Sequence, residues 1–238
     1  MSTPHCSMIM YLNKDAALIP AFLRDLRSFF AKFPVHYEVI AVVEKNATQS
    51  LQLLQTEQSL SPEKERIHIH QNKKHLGRAQ SLMLGFEIAR SEYLLVVNPE
   101  MASPLGDVFK LWQHLVGEDQ IDICWGDRYR RKDSPFTSSS SPRIRTEHFF
   151  NDLLRGKSPE DIQDPLCEVI ALKKQSWNRL RPELKKNKIS GWYLAAAIQK
   201  CHAIHSFKII ELPVYDSGVT SKSYSVWSER WRLIRRLK

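Results

Sequence analysis

The chain has 238 residues and 42% hydrophobic content, enough for one sizeable core and too apolar for a disordered segment. No apolar run approaches the ~20 residues that cross a bilayer, and the N-terminus, Met1 to Cys6, lacks the basic and apolar stretches of a signal peptide. A net charge of +9 favours anionic partners: phosphorylated substrates, anionic lipid or, third, nucleic acid, for which no helix-turn-helix, zinc-finger or aromatic RNA-binding signature is present.

Ser7 to Leu12 predicts a short strand, and Leu18 to Phe33 a helix with apolar residues at helical spacing. Tyr37 to Val43 is an apolar run bounded by polar residues, the pattern of a strand buried on both faces. Leu51 to Leu60 reads as a helix ended by Ser61-Pro62, and Arg66 to His70 alternates like a strand. Arg78 to Arg90 predicts a helix and Tyr93 to Val97 a buried strand. A helix from Leu105 to Leu115 and a strand from Ile121 to Trp125 follow. The segment from Arg128 to about Pro142, rich in Arg, Lys, Ser and Pro, predicts a loop. Helices around Glu147–Leu154 and Gly191–Cys201, a strand from Phe207 to Pro213 and an amphipathic basic helix from Val226 to Lys238 complete the chain. The expected organisation is one α/β domain over residues 1–238, with no internal repeat.

Alternating strands and helices of this kind predict a mainly parallel central sheet with helices on both faces. Ligands of such sheets bind beyond the carboxyl ends of the strands, so the segments after Tyr11, Val43 and Val97 are expected around one crevice. The four cysteines, far apart and without a Cys-X-X-Cys, are expected to be free thiols of a cytoplasmic protein. His68 and His70 share a strand face, and Cys201, His202 and His205 lie close in sequence. Neither group supplies a full zinc set.

The stretch from Leu76 to Glu100 resembles the middle of a family 2 glycosyltransferase of the GT-A fold, of the polyprenyl-phosphate sugar synthase type. Gly126-Asp127-Arg128-Tyr129 is similar to that family's Gly-Ser-Arg-Tyr, and Asp164-Pro165-Leu166-Cys167 to its Asp-Pro-Thr-Cys. Leu212-Pro213-Val214 and Ser221-Lys222 resemble its closing strand and phosphate contact. Each stretch is short; five of them in order, over nearly the whole chain, carry the resemblance. It implies a GT-A-like nucleotide-diphospho-sugar transferase fold. Residues 1–100 would form the nucleotide-binding half and 101–225 the acceptor-binding half, with 226–238 a basic amphipathic helix.

The departures fall on chemistry. The family's Asp-X-Asp, which holds a divalent metal against the sugar nucleotide, reads Asn98-Pro99-Glu100 here. Its Pro-X-Tyr-Asn-Glu reads Met10-Tyr11-Leu12-Asn13-Lys14, and its Asp-Asp-Gly-Ser reads Val43-Glu44-Lys45-Asn46. A Gln following Asp-X-Asp becomes Ala102, and an acidic residue on a later helix gives way to Gly191-Trp192-Tyr193. A departing diphosphate must be neutralised, and Mg2+ or Mn2+ does this when hard carboxylate oxygens hold it. Asn98 and Glu100 offer one carboxylate instead of two, so any metal at Glu100 is expected to be loosely held. Arg78, Arg128 and Lys222 are the protein cations able to substitute.

By this resemblance Asn13, Glu44 and Arg78 line the nucleotide pocket, Asn98 and Glu100 lie beside the diphosphate, and Arg128 and Lys222 meet phosphate. Plainer readings stand beside these. Asn13 caps a helix, Glu44 is a solvated loop charge, Asn98-Pro99 is a turn, and Asp127 and Asp164 are partners of nearby arginines. The tryptophans of the C-terminal helix either pack on the sheet edge or present a basic face to anionic lipid. Two functions follow. One is transfer of sugar from a uridine or guanosine diphosphate donor to an acceptor, a lipid phosphate among the candidates, by a cytoplasmic protein peripheral to the membrane. The other is a pseudoenzyme that serves a protein partner as a scaffold or senses nucleotides.

Overall fold

Two strands hold the centre of the fold because their side chains are buried on both faces. Every residue of β1 (Cys6–Leu12) and β2 (Tyr37–Val43) is buried, so the sheet is covered above and below. The structure, a computed structural model, describes residues 3–13, 16–60, 66–97, 99, 104–138, 142–155, 162–186, 194, 197–198, 201 and 206–215. The remaining strands are β3 (Ile67–Gln71), β4 (Tyr93–Val96), β5 (Ile123–Asp127), β6 (Ile170–Lys173) and β7 (Ile209–Pro213). Between them run α1 (Ile19–Phe30), α2 (Thr48–Leu60), α3 (Arg78–Ile88), α4 (Leu105–Gly117), α5 (Pro135–Ser138), α6 (Pro142–Arg155) and α7 (Lys174–Lys186).

The strands form one sheet in the order β3-β2-β1-β4-β6-β5-β7. All neighbouring pairs are parallel except those of β6, which is antiparallel to both β4 and β5. Because β6 alone is reversed, the carboxyl ends of the other six strands share one edge with the amino end of β6. Helices α3 and α7 touch through Phe86 and Trp177, while α1 meets α4 through Phe29 and Phe30 against Phe109, with Phe33, just beyond α1, on the same ring. Gly85 lets α3 lie close on the sheet: a Cβ there would come within 2.3 Å of Ile9 Cγ2.

Within the described residues the predicted strands and helices are present, most of them with shifted ends. The strand expected at Ile121–Trp125 is β5, two residues later, and the expected loop from Arg128 contains the short α5. Strand β6 and helix α7 were not legible in the sequence, because a four-residue strand runs into its helix without a turn residue between. Of the helix expected at Gly191–Cys201, the described Leu194, Ala197, Ile198 and Cys201 are helical and buried, one face at helical spacing. The C-terminal segment 226–238 lies outside the described residues. Among the described residues no helix is long and apolar enough to cross a membrane. The four cysteines are free and buried, and burial pushes the Cys6 and Cys124 thiols up to about 12.

One charge interrupts the apolar run of β2. Glu38 is buried at the amino edge, where Ser7 Oγ donates to it at 2.6 Å and the Arg90 backbone N–H and Nε at 2.7 Å each. His68 Nε2 stands 3.3 Å from the same carboxylate, so this histidine belongs to the polar cluster around Glu38, at the opposite edge of the sheet from the crevice. Burial pushes the Glu38 carboxyl up, but the hydrogen bonds from Ser7 and Arg90 outweigh it and hold it below the ordinary glutamate value. Its contribution is therefore complete above the unfolded value of about 4.3 and fades as pH falls through the lower, folded value. Glu38→Ala should cost about 2 kcal/mol at pH 7, read as a lower urea midpoint, because buried donors lose a charged acceptor. The deficit should shrink on acidification below about 4.3.

Candidate active site

The carboxyl edge of the sheet gathers the loop residues on which the chemistry depends. Three tips lie side by side: the Glu44 N–H donates to Leu12 O at 2.8 Å, and the Val97 N–H donates to Ile9 O at 2.9 Å. The Asn72 N–H donates to Val43 O at 2.8 Å, which brings the end of β3 alongside β2. On the far side of β6, the Gly126 N–H donates to Val169 O at 2.8 Å. The segments after β1, β2 and β4 thus adjoin one another, as the parallel order requires. Asn13 follows directly on β1 and is half-buried.

Glu44 is the centre of this edge. Its Oε1 accepts from the Leu76 N–H at 3.1 Å, the Lys45 N–H at 3.3 Å and Asn72 Nδ2 at 3.4 Å. Its Oε2 accepts from the Gly77 N–H at 3.0 Å and the Tyr11 hydroxyl at 3.2 Å, with His75 Nδ1 at 3.3 Å. Burial pushes the carboxyl up, but the amides of Gly77, Leu76 and Lys45 and the Asn72 side chain more than reverse this and hold it low. Gly77 has φ 77°, a conformation that favours glycine and turns its N–H onto the carboxylate. Both oxygens of Glu44 are therefore engaged by the protein itself. Its direct role is to set the turn that starts α3.

The cations predicted to meet phosphate are also engaged. Arg78, the first residue of α3, is buried and forms an ion pair through Nε with Glu168 Oε2. Arg128 is buried in a carboxylate cage: Nε and an Nη bond to the two oxygens of Asp164 at 2.6 and 2.8 Å. Its backbone N–H donates to Asp164 Oδ2 at 3.1 Å, Glu147 Oε2 lies 3.7 Å away, and the guanidinium stacks 4.3 Å from the Phe136 ring centre. Burial opposes the charge on Arg128, yet the pull of Asp164 raises its pKa well above normal. Asp127 accepts from the Tyr129 and Arg130 N–H groups at 2.8 and 3.2 Å and pairs with Arg130 at 3.2 Å. The plainer reading of Asp127 and Asp164 as arginine partners describes these contacts.

The structure thus brings Asn13, Glu44 and Arg78 to one edge and adds three residues the sequence did not single out: Asn72, Glu147 and Glu168. Asn98, Glu100, Lys222 and Tyr193 lie outside the described residues, as do His202, His205 and the side chain of Arg143. Among the described residues no group of three or more His, Cys, Asp or Glu side chains is arranged to hold a metal ion. In the sequence after β4, Asn98 and Glu100 offer one amide and one carboxylate, fewer charges than the hard carboxylate oxygens that hold Mg2+ or Mn2+ tightly.

A mixed sheet of this order, with its loops converging on one edge, is an α/β fold of the kind that binds ligands beyond the carboxyl ends of its strands. The sequence pattern of "Glycosyl transferase family 2" matches residues 7–180, and the chain belongs to that family. The glycosyltransferase AglD of Haloferax volcanii is 24% identical over 157 residues, which cover 65% of this chain and 24% of that protein. The chain therefore spans about a quarter of that relative's length.

Mannosyl-3-phosphoglycerate synthase from Rubrobacter xylanophilus superposes with a TM-score of 0.71 at 7% identity, covering 98% of this chain and 72% of that one. Glucosyl-3-phosphoglycerate synthase from Mycobacterium tuberculosis, solved with Mn2+, UDP-glucose and phosphoglyceric acid, gives 0.68 at 9% identity, covering 98% and 78%. A mannosyltransferase from Pyrobaculum calidifontis, solved with GDP-mannose and Mn2+, gives 0.63 at 14% identity, covering 97% and 61%. These likenesses establish the GT-A glycosyltransferase fold.

The Arg128 cage yields a direct test of stability. Asp164→Ala should cost about 3 kcal/mol or more by chemical denaturation, because it strands a buried guanidinium. The double variant Arg128→Met/Asp164→Leu should recover part of the loss, since it removes this pair of charges together but also takes Arg128 away from Glu147.

Proposed function

We propose that the protein is a glycosyltransferase that takes a sugar from a uridine or guanosine diphosphate donor. The observation that carries this reading is the Glu44-pinned turn, which aims the start of α3 at the tips of β1 and β2 in a chain of family 2. Asn13 and the Leu76–Gly77 turn would line the nucleotide pocket, with Glu44 acting through that turn. Asn98 and Glu100 would flank the diphosphate. The helix N-terminus, Arg78 and Lys222 would offset its charge, and Arg128 would shape the acceptor side from within its cage. Residues 1–100 would serve the nucleotide and 101–225 the acceptor.

A lipid phosphate fits the acceptor role. A phosphate is already ionised at neutral pH and needs little help from a general base, so Tyr193 in place of an acid is no obstacle. The basic segment 226–238 would then meet the anionic cytoplasmic membrane face, with the protein peripheral to it. No step is assigned to a metal, because the donor set fits one poorly; Mg2+ or Mn2+ would at most reinforce Glu100.

A second reading has its own observation. Arg78 and Arg128 both spend their charge on internal carboxylates, as a pseudoenzyme retained for scaffolding a protein partner or for sensing nucleotides would allow. Calorimetric titration with uridine and guanosine diphosphates, with and without Mn2+, separates the readings. The transferase reading predicts binding in the micromolar to millimolar range, and Glu100→Ala should abolish any enhancement by Mn2+. No binding by millimolar nucleotide would leave the scaffold.

A further inference from the structure

Arg78 and Glu168 are 90 residues apart in sequence and meet across the crevice. Arg78 reaches in from the first turn of α3. Glu168 stands two residues before β6 begins, and β6 lies between β4 and β5 in the sheet. The pairing of β6 with β5 runs Trp125 to Ile170, and the Gly126 N–H to Val169 O bond carries it one residue further. The next residue on the β6 side is Glu168. Its carboxylate is therefore held at the middle of the carboxyl edge, beside the strand that leads into Asn98-Pro99-Glu100.

The pair is uneven in its surroundings. The Glu168 side chain retains 19% exposure, whereas that of Arg78 retains 3%. Glu168 uses Oε2 for Arg78, while its buried Oε1 has no hydrogen-bond partner among the described residues. A carboxylate that satisfies one oxygen is held less firmly than Asp164, which engages both of its oxygens with Arg128. The charged groups around Glu168 are Arg78 from α3, Arg128 from the end of β5 and Glu147 from α6. Burial pushes the Glu168 carboxyl up against the pull of the two arginines, so its charge is less well stabilised than that of Glu44. Carboxylate and phosphate are alternative partners for one guanidinium, since both present paired oxygens to its fork.

We propose that Glu168 is an internal stand-in for a ligand phosphate: its carboxylate occupies Arg78 in the empty crevice, and a nucleoside diphosphate must displace it to bind. The proposal rests on the nucleotide-binding reading above and names the group that sets its affinity. Glu168 is a positioning residue, acting through Arg78. It keeps a buried cation neutralised and the first turn of α3 docked while the crevice holds no anion. The cost of displacing it lowers affinity for every phosphate ligand, and most for one that cannot engage Arg78 with two oxygens.

The test is a calorimetric titration of the full chain with uridine and guanosine diphosphates at fixed ionic strength. Wild type is compared with Glu168→Gln, Glu168→Asp and the double variant Arg78→Gln/Glu168→Gln. Removing the competing charge should tighten binding about tenfold in Glu168→Gln, the worth of one charge-assisted hydrogen bond. Glu168→Asp, which keeps the charge but shortens its reach, should give a smaller gain, and it carries the test if the Gln variant does not fold. The gain should vanish in the double variant, which lacks the guanidinium that receives the phosphate. Nucleotide binding that is unchanged or weaker in Glu168→Gln overturns the proposal and leaves the transferase reading standing. A gain that survives in the double variant overturns it as well. Absence of binding by every variant at millimolar nucleotide overturns both.

Discussion

A buried carboxylate is tolerated only when nearly every lone pair is met, and at Glu44 that requirement organises the crevice. Its donors come from four places in the chain: Tyr11 on β1, Lys45 after β2, Asn72 after β3, and Leu76 and Gly77 before α3. Satisfying one side chain thus fixes three strand ends and one helix start together. The turn at Gly77 sets where α3 begins, and Arg78 follows as its first residue. Asn72 is held in turn by Ser81, one turn into α3, with a 2.8 Å bond from Nδ2 to Oγ. The edge therefore behaves as one assembly, and the cation at its centre is placed by contacts several residues away.

The charge of this protein is distributed in an unexpected way. A net +9 leads one to expect open cations in a phosphate-binding cleft. Instead the two arginines with the best sequence credentials are buried against Glu168, Asp164 and Glu147. Unpaired guanidinium groups in a partly desolvated crevice would be costly, and the internal carboxylates remove that cost. The consequence differs at the two sites. Arg128 is gripped by both oxygens of Asp164 as well as stacked on Phe136, which makes it a structural post. Arg78 is met by one oxygen of a partly exposed glutamate, the arrangement on which the proposed exchange with phosphate rests.

The sequence made the architecture legible wherever side-chain burial followed a simple period. Tyr37–Val43 has the bounds read from its composition, because an apolar run flanked by polar residues has one stable placement. The four-residue β6 leaves no mark in the sequence because Ile170 to Lys173 is too short to show a period and passes into α7 without punctuation. The crevice was legible as a location and less so as chemistry. Parallel topology alone puts Asn13, Glu44 and the end of β4 together. What each charge does depends on partners far along the chain: 33 residues for Glu44 and Gly77, 36 for Arg128 and Asp164, 90 for Arg78 and Glu168. Asp164 was open to reading as an arginine partner from proximity of type, whereas Glu168 and Asn72 carried no local pattern that marks them.

The central role of Glu44 is most directly measured by amide hydrogen exchange of Leu76 and Gly77, resolved residue by residue by NMR. If a buried carboxylate fixes the edge, these two loop amides are protected in the wild type to a degree comparable with the first turns of α3. In Glu44→Gln they exchange much faster while Phe86, deep in the helix, keeps its protection. Exchange of Leu76 and Gly77 in the wild type at the rate of an open loop would contradict the account.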